Sequence, residues 1–126
     1  MTPSVQRWIG GGNLPCSLGR ANGTWPLGEL ALDGRRVMLR LRPHFFARLA
    51  GASSLEAVPE DLEVVFPAVG YMGGRGLGFR RRDGTEYYFW KGMSIAGPLL
   101  EMLAQIGFPV QREPRRARQV WGFLRK

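Results

Sequence analysis

The sequence predicts a mainly β domain with one C-terminal helix. Three observations predict it. Two Asp-Gly pairs, Asp33-Gly34 and Asp83-Gly84, each sit between alternating apolar runs, where a tight hairpin turn belongs. One apolar stripe at helical period (Ile95, Leu99, Met102, Leu103 and Ile106) follows the second hairpin. The 126 residues suffice for one hydrophobic core without staples. Strands, hairpins and a terminal helix in that order describe a small barrel or sandwich closed at one end.

Each element has its own signal. Trp25 to Leu32 and Arg36 to Arg42 flank the first turn, and a type I′ turn at Asp33-Gly34 pairs Leu32 with Arg35, Leu30 with Val37 and Gly28 with Leu39. Period-two alternation then gathers Leu30, Leu32, Val37, Leu39 and Leu41 on a core face. Trp25, Leu27, Glu29, Arg36, Met38, Arg40 and Arg42 share the other. HFFARLAGASSLEAVP, after Pro43, shows no clean period and suits a short helix or an irregular strand equally. Leu62 to Ala68 alternates as a strand, and Pro67 places it at an edge or near its end.

Gly70 to Gly76 is a glycine-rich loop. In a two-residue register about Asp83-Gly84, Arg81 faces Glu86, Phe79 faces Tyr88, and Leu77 faces Trp90, while Gly78 makes room for the ring of Phe89. For the helix, Pro98 suits the first turn, Gly107 the left-handed position after the last turn, Phe108 the apolar contact that accompanies such a cap, and Pro109 the stop.

The segments ANGTWPLGELALDGRRVMLRLRP, VPEDLEVVFPAVG, GLGFRRRDGTEYYFW and LLEMLAQIGFPV together resemble the bacterial branch of the pleckstrin-homology-like fold, which includes GRAM-type domains. The resemblance implies a barrel of two near-orthogonal antiparallel sheets capped by a helix. It covers residues 21–110, with residues 1–20 as an N-terminal extension and 111–126 as a basic C-terminal tail. Arg40-Leu41-Arg42 matches the R-x-R that grips inositol phosphates in eukaryotic lipid-binding relatives. The loop before it is only Asp33-Gly34, too short to wrap a headgroup, and the first strand offers Glu29 in place of a lysine.

The net charge is +8, with Arg112, Arg115, Arg116, Arg118, Arg125 and Lys126 concentrated after residue 107. A basic balance suits nucleic acid or an anionic membrane surface. The single Cys16 cannot form an intramolecular disulfide, which suits a reducing, cytoplasmic compartment. Residues 1–24 have no apolar run of signal-peptide length, and no run reaches the roughly 20 residues that span a bilayer.

Catalytic patterns are weak. His44 has no second histidine or nearby carboxylate, and Cys16-Ser17 lacks a paired base. Glu60, Asp61 and Glu63 at a strand entrance read as solvated carboxylates rather than a metal site. Glycines 70 to 78 lead into a strand, whereas phosphate loops lead into a helix N-terminus. The expected function is therefore a non-enzymatic binding or adaptor module for a protein or peptide, without cofactor or metal. Its basic tail would add weak affinity for the inner face of an anionic membrane, and a second copy of the chain is a further candidate partner. The candidate contacts are Trp25, Arg36, Arg40, Arg42, Arg80, Arg82, Arg115, Arg116, Arg118 and Trp121. The alternative is a small nucleic-acid-binding protein that tracks phosphates with Arg36, Arg40, Arg80 and Arg82.

Overall fold

A computed structural model describes residues 5–16, 19–42, 51, 53–70, 74–91 and 93–118. The strands are β1 (Gln6–Cys16), β2 (Gly19–Asp33), β3 (Arg36–Leu41), β4 (Leu55–Ala57), β5 (Leu62–Val69), β6 (Arg75–Arg81), β7 (Glu86–Trp90) and β8 (Arg115–Arg116). A 3₁₀ turn, Pro59–Asp61, precedes β5, and helix α1 (Met93–Ile106) follows β7. The described residues are thus mainly β with one α-helix. The strands form one sheet in the order β4-β3-β2-β1-β7-β6-β5-β8, antiparallel except for β8 on β5, and that sheet is open. The expected closed pair of orthogonal sheets is replaced by a single ladder, because β1 hydrogen-bonds to β2 on one side and to β7 on the other.

Residues 6–16, read from sequence as part of an extension before the domain, are therefore the strand that joins the two halves of the sheet. Trp8, Gly10, Gly12 and Leu14 share one parity, with Leu14 fully buried and Trp8 packed on the core. The register shifts between Gly10 and Gly12, where residues 24–27 of β2 stand opposite Gly11 alone. A Cβ at Gly10 or Gly28 would collide with neighbouring backbone, so only glycine lets the strands approach this closely at the bend.

The first hairpin pairs Asp33 with Arg36, Leu32 with Val37, Leu30 with Leu39 and Gly28 with Leu41. The turn thus lies one residue later than expected, at Gly34-Arg35. Gly34 has φ 63° and no non-glycine residue among those described, Arg35 included, has a positive φ, which is the type II′ requirement and excludes type I′. The shift preserves strand parity, so Leu30, Leu32, Val37, Leu39 and Leu41 are all buried together.

The second hairpin departs further. Arg81 N–H donates to the Thr85 carbonyl and Gly84 N–H to the Arg81 carbonyl, leaving Arg82-Asp83-Gly84 as a three-residue loop with Gly84 at φ 94°. This is a turn followed by a left-handed glycine. An odd loop slips the register by one: Phe79 pairs with Tyr87, Leu77 with Phe89 and Gly78 with Tyr88. Tyr87 and Phe89, not Tyr88 and Trp90, join Leu77 and Phe79 in the main core. Tyr88 and Trp90 point to the other face with Phe66 and Ala68. An irregularity between Leu62 and Val64 changes parity in β5 as well, giving Leu62 and Val65 to the main core and Phe66 to the second cluster.

Helix α1 covers the main core with Ala96, Leu99, Leu100 and Leu103, while Met102 and Ile106 pack at its margin. The side chain of Ile95 lies outside the described residues. Pro98 stands inside the helix rather than in its first turn. At the other end the cap is as expected: Gly107 has φ 121°, its N–H donates to Ala104, and Phe108 N–H donates to Leu103 at 3.0 Å, with the Phe108 ring buried. The chain then runs along β5, with Val65 bridged to Val110 and Ala68 and Val69 paired to Arg115 and Arg116. Pro67, lacking an N–H, falls between these contacts on the same edge.

Candidate functional site

Two exposed regions collect the candidate residues. The first is the excursion at residues 24–27. Because the β1 glycines pull the flanking backbone together, Trp25, Pro26 and Leu27 are extruded from the ladder; Trp25 is 68% and Leu27 39% exposed. Arg42 N–H donates to the Leu27 carbonyl at 2.5 Å, fixing the excursion to the end of β3. The Arg42 side chain is exposed and has no ion pair among the described residues. Trp25 and Arg42 lie near one another through the backbone, yet no cation–π contact joins their side chains among those described.

The second region is the outward face of β1–β3. Glu29 is 6% exposed, and its two oxygens accept from Arg7 Nη1 at 2.7 Å and Arg40 Nε at 3.2 Å. Burial works to raise the Glu29 carboxyl, but the hydrogen bonds from Arg7 and Arg40 outweigh it and hold the group below the usual carboxylate range. With Ala31 and Met38 these residues line a depression of about 160 Å³. Arg36 is committed nearby, at 3.0 Å from Glu56 and 3.7 Å from Asp33.

The remaining arginines are dispersed. Arg80 bridges Glu63 and Glu86 at 3.1 and 3.0 Å, and Arg82 Nε donates to the Glu60 carbonyl. Arg36 and Arg40 are on β3 and Arg80 is on β6, with β2, β1 and β7 between them, so the arginines expected to track phosphates do not adjoin one another. Arg115 lies over the Phe66 ring, 4.7 Å from its centroid. Arg116 takes the opposite parity, and both Arg116 and Arg118 are exposed. Trp121 and His44 lie outside the described residues.

The acidic trio separates: Glu60 pairs with Arg35 at 2.7 Å, Asp61 accepts from the Val58 N–H and Glu63 pairs with Arg80. Among the described residues no group of three or more His, Cys, Asp or Glu gathers. No described helix is long and apolar enough to cross a membrane.

Sequence reasoning missed a polar network on the outer face of β6, β7 and β1. Glu86 is buried and accepts from the Tyr88 hydroxyl as well as from Arg80. Arg20 lies 5.6 Å from the Tyr88 ring centroid, and donates to the Glu86 carbonyl and to Asn13 Oδ1, while Asn13 in turn donates to Asn22. Tyr88 and Trp90 stack at 5.6 Å and 18°. Arg7, Asn13 and Arg20 acquire these roles only once β1 is placed, and the shared parity of Trp8 and Leu14 is the sequence signal that could have placed it. No family model matches the sequence, and no curated protein matches it.

Proposed function

We propose that this protein is a non-enzymatic binding module of pleckstrin-homology-like kind that docks a protein or peptide, with the Trp25–Leu27 excursion as its apolar anchor. One observation carries the reading: a tryptophan 68% exposed on backbone anchored to β3. Exposed aromatics and arginines are the residue types that dominate binding energy at interfaces. A non-catalytic role agrees with the two buried carboxylates, Glu29 and Glu86, each held by arginine. The nucleic-acid alternative has less support, because Arg36, Arg40 and Arg80 are already paired with carboxylates and Arg82 with a carbonyl. Weak affinity for an anionic membrane draws on Arg116 and Arg118 but has no further support in the fold.

Selection from a random peptide display library against the full chain tests the reading. Enriched peptides that lose binding to Trp25→Ala, with its melting temperature unchanged, are the expected result. Peptides indifferent to Trp25→Ala, or salt-sensitive binding to single-stranded oligonucleotides alone, would overturn it.

A further inference from the structure

The distribution of charge over the fold names the chemistry of that partner. All ten Asp and Glu side chains fall within the described residues, so the cations left without one can be identified. The ion pairs gather where the hairpin tips meet the 3₁₀ turn. There Arg35 reaches Glu60, Arg36 reaches Asp33 and Glu56, and Arg80 reaches Glu63. The other ends of β5, β6 and β7 are different. Val69 pairs with Arg116 on one side and Arg75 on the other, and Lys91 N–H donates to the Arg75 carbonyl at 3.2 Å. Arg116, Val69, Arg75 and Lys91 thus form one row across neighbouring strands, and residues in such a row project to the same face.

That face is the inner one, since Arg75 shares the parity of Leu77 and Phe79. Among the described residues none of the three cations has a carboxylate partner, although Lys91 is partly buried. Helix α1 starts two residues beyond Lys91 with no acidic residue in its first turn, so its positive end adds to the same field. The row ends at Lys91, because on the next strand Gly10 is buried with the Trp90 carbonyl and the Phe89 ring lying against it. At about 4.8 Å per strand, roughly 14 Å of sheet separate Arg116 from Lys91, the reach of about four extended residues.

We infer that the Arg116–Arg75–Lys91 row binds an extended acidic segment of the peptide partner. This rests on the adaptor reading above and adds the partner's charge. A line of cations on the inner face, one of them recessed, fits the carboxylates of a strand better than the plane of a membrane.

The probe is a fluorescein-labelled peptide of six glutamates, with a six-glutamine version as control, in anisotropy titrations at low salt. The triple reversal Arg75→Glu, Lys91→Glu, Arg116→Glu should weaken the glutamate peptide by about tenfold or more, whereas Arg36→Glu at the ion-paired end should change it little. If the triple variant fails to fold, amide shifts of the wild-type chain settle the matter: Arg75, Lys91 and Arg116 should respond to the glutamate peptide and not to the glutamine one. Equal binding of both peptides overturns the proposal. So does a row whose reversal abolishes only phosphatidylserine-vesicle or oligonucleotide binding. Display-selected peptides that need Trp25 but ignore the triple reversal would overturn the row alone and leave the adaptor reading standing.

Discussion

The Phe66 ring lies across the backbone of Gly78, filling the place where a side chain would stand. Phe66 and Gly78 are direct partners in the β5–β6 ladder, and Tyr88 pairs with Gly78 from the other side. Even a methyl group at position 78 would collide with a ring that is itself fully buried. Gly78→Ala should therefore destabilise the chain by roughly 1–3 kcal/mol through overpacking, read as a lower urea midpoint with an unchanged m-value. Gly74→Ala, where the same Cβ would meet nothing within 4 Å, is the matched control and should be nearly neutral.

A ring crossing a glycine was legible in the sequence, but which ring was not. The pairing of Gly78 with Phe89 assumed a two-residue loop, and the left-handed Gly84 makes it three residues long, which sends Phe89 to the core. In the first hairpin the turn also moved, yet Leu30, Leu32, Val37, Leu39 and Leu41 stayed on their face because the slip preserved parity. β1 was illegible for a different reason. Its centre is Gly10-Gly11-Gly12, which has no side chains to alternate, and its value lies in close backbone approach that only three dimensions reveal. Trp25 and Arg42 could be singled out as surface residues, whereas the row through Arg75 and Lys91 depends on strand order, which local pattern does not encode.

Gly84 itself offers a test of that loop. A side chain at φ 94° strains the backbone, so Gly84→Ala should cost about 1–2 kcal/mol. Gly84→Asn should recover part of the loss, because asparagine tolerates positive φ better. Equal stability of wild type and the alanine variant, measured by chemical denaturation, would contradict the loop geometry.

Acid should act through Glu29. Its folded-state pKa lies below the unfolded value: burial raises it, and the bonds from Arg7 and Arg40 more than compensate. A depressed carboxylate contributes stability that is complete above the unfolded pKa and is lost as pH falls through the folded one. The stability gap between wild type and Glu29→Gln should therefore shrink as pH drops below about 4, the unfolded carboxylate range. Arg7→Ala and Arg40→Ala should each cost roughly 1 kcal/mol near neutral pH, less than for a fully buried pair because both arginines are half exposed. A gap that widens in acid would reverse the sign of the argument.

The helix makes two opposite predictions. Leu103 is fully buried, so Leu103→Ala should cost roughly 2–5 kcal/mol through lost transfer energy and a cavity. Pro98 is exposed within α1, where it removes a helical N–H donor and crowds the preceding turn. Pro98→Ala should raise stability by about 1–3 kcal/mol, partly offset by greater freedom of the unfolded chain. Thermal unfolding of both variants followed by circular dichroism checks the pair.

The last prediction concerns residues 111–126, which the sequence offered as a basic tail with weak affinity for an anionic membrane. As far as Arg118 the chain is attached. Arg112 makes two hydrogen bonds to Glu101 on α1, at 2.7 and 2.8 Å, Arg115 covers the Phe66 ring, Ala117 is buried beside it, and Ala117 N–H donates to the Val69 carbonyl. The Glu101 pair is exposed and contributes little, so the burial of Phe66 and Ala117 carries the energy. Truncation after Val110 uncovers that cluster and should lower the melting temperature by several degrees, whereas truncation after Arg118 leaves every one of these contacts in place. A chain ending at Val110 that melts with the full-length protein would show that β8 contributes nothing to stability. If the chain ending at Arg118 alone loses adsorption to phosphatidylserine vesicles at low salt, the membrane contact belongs to residues 119–126 and is separable from the fold.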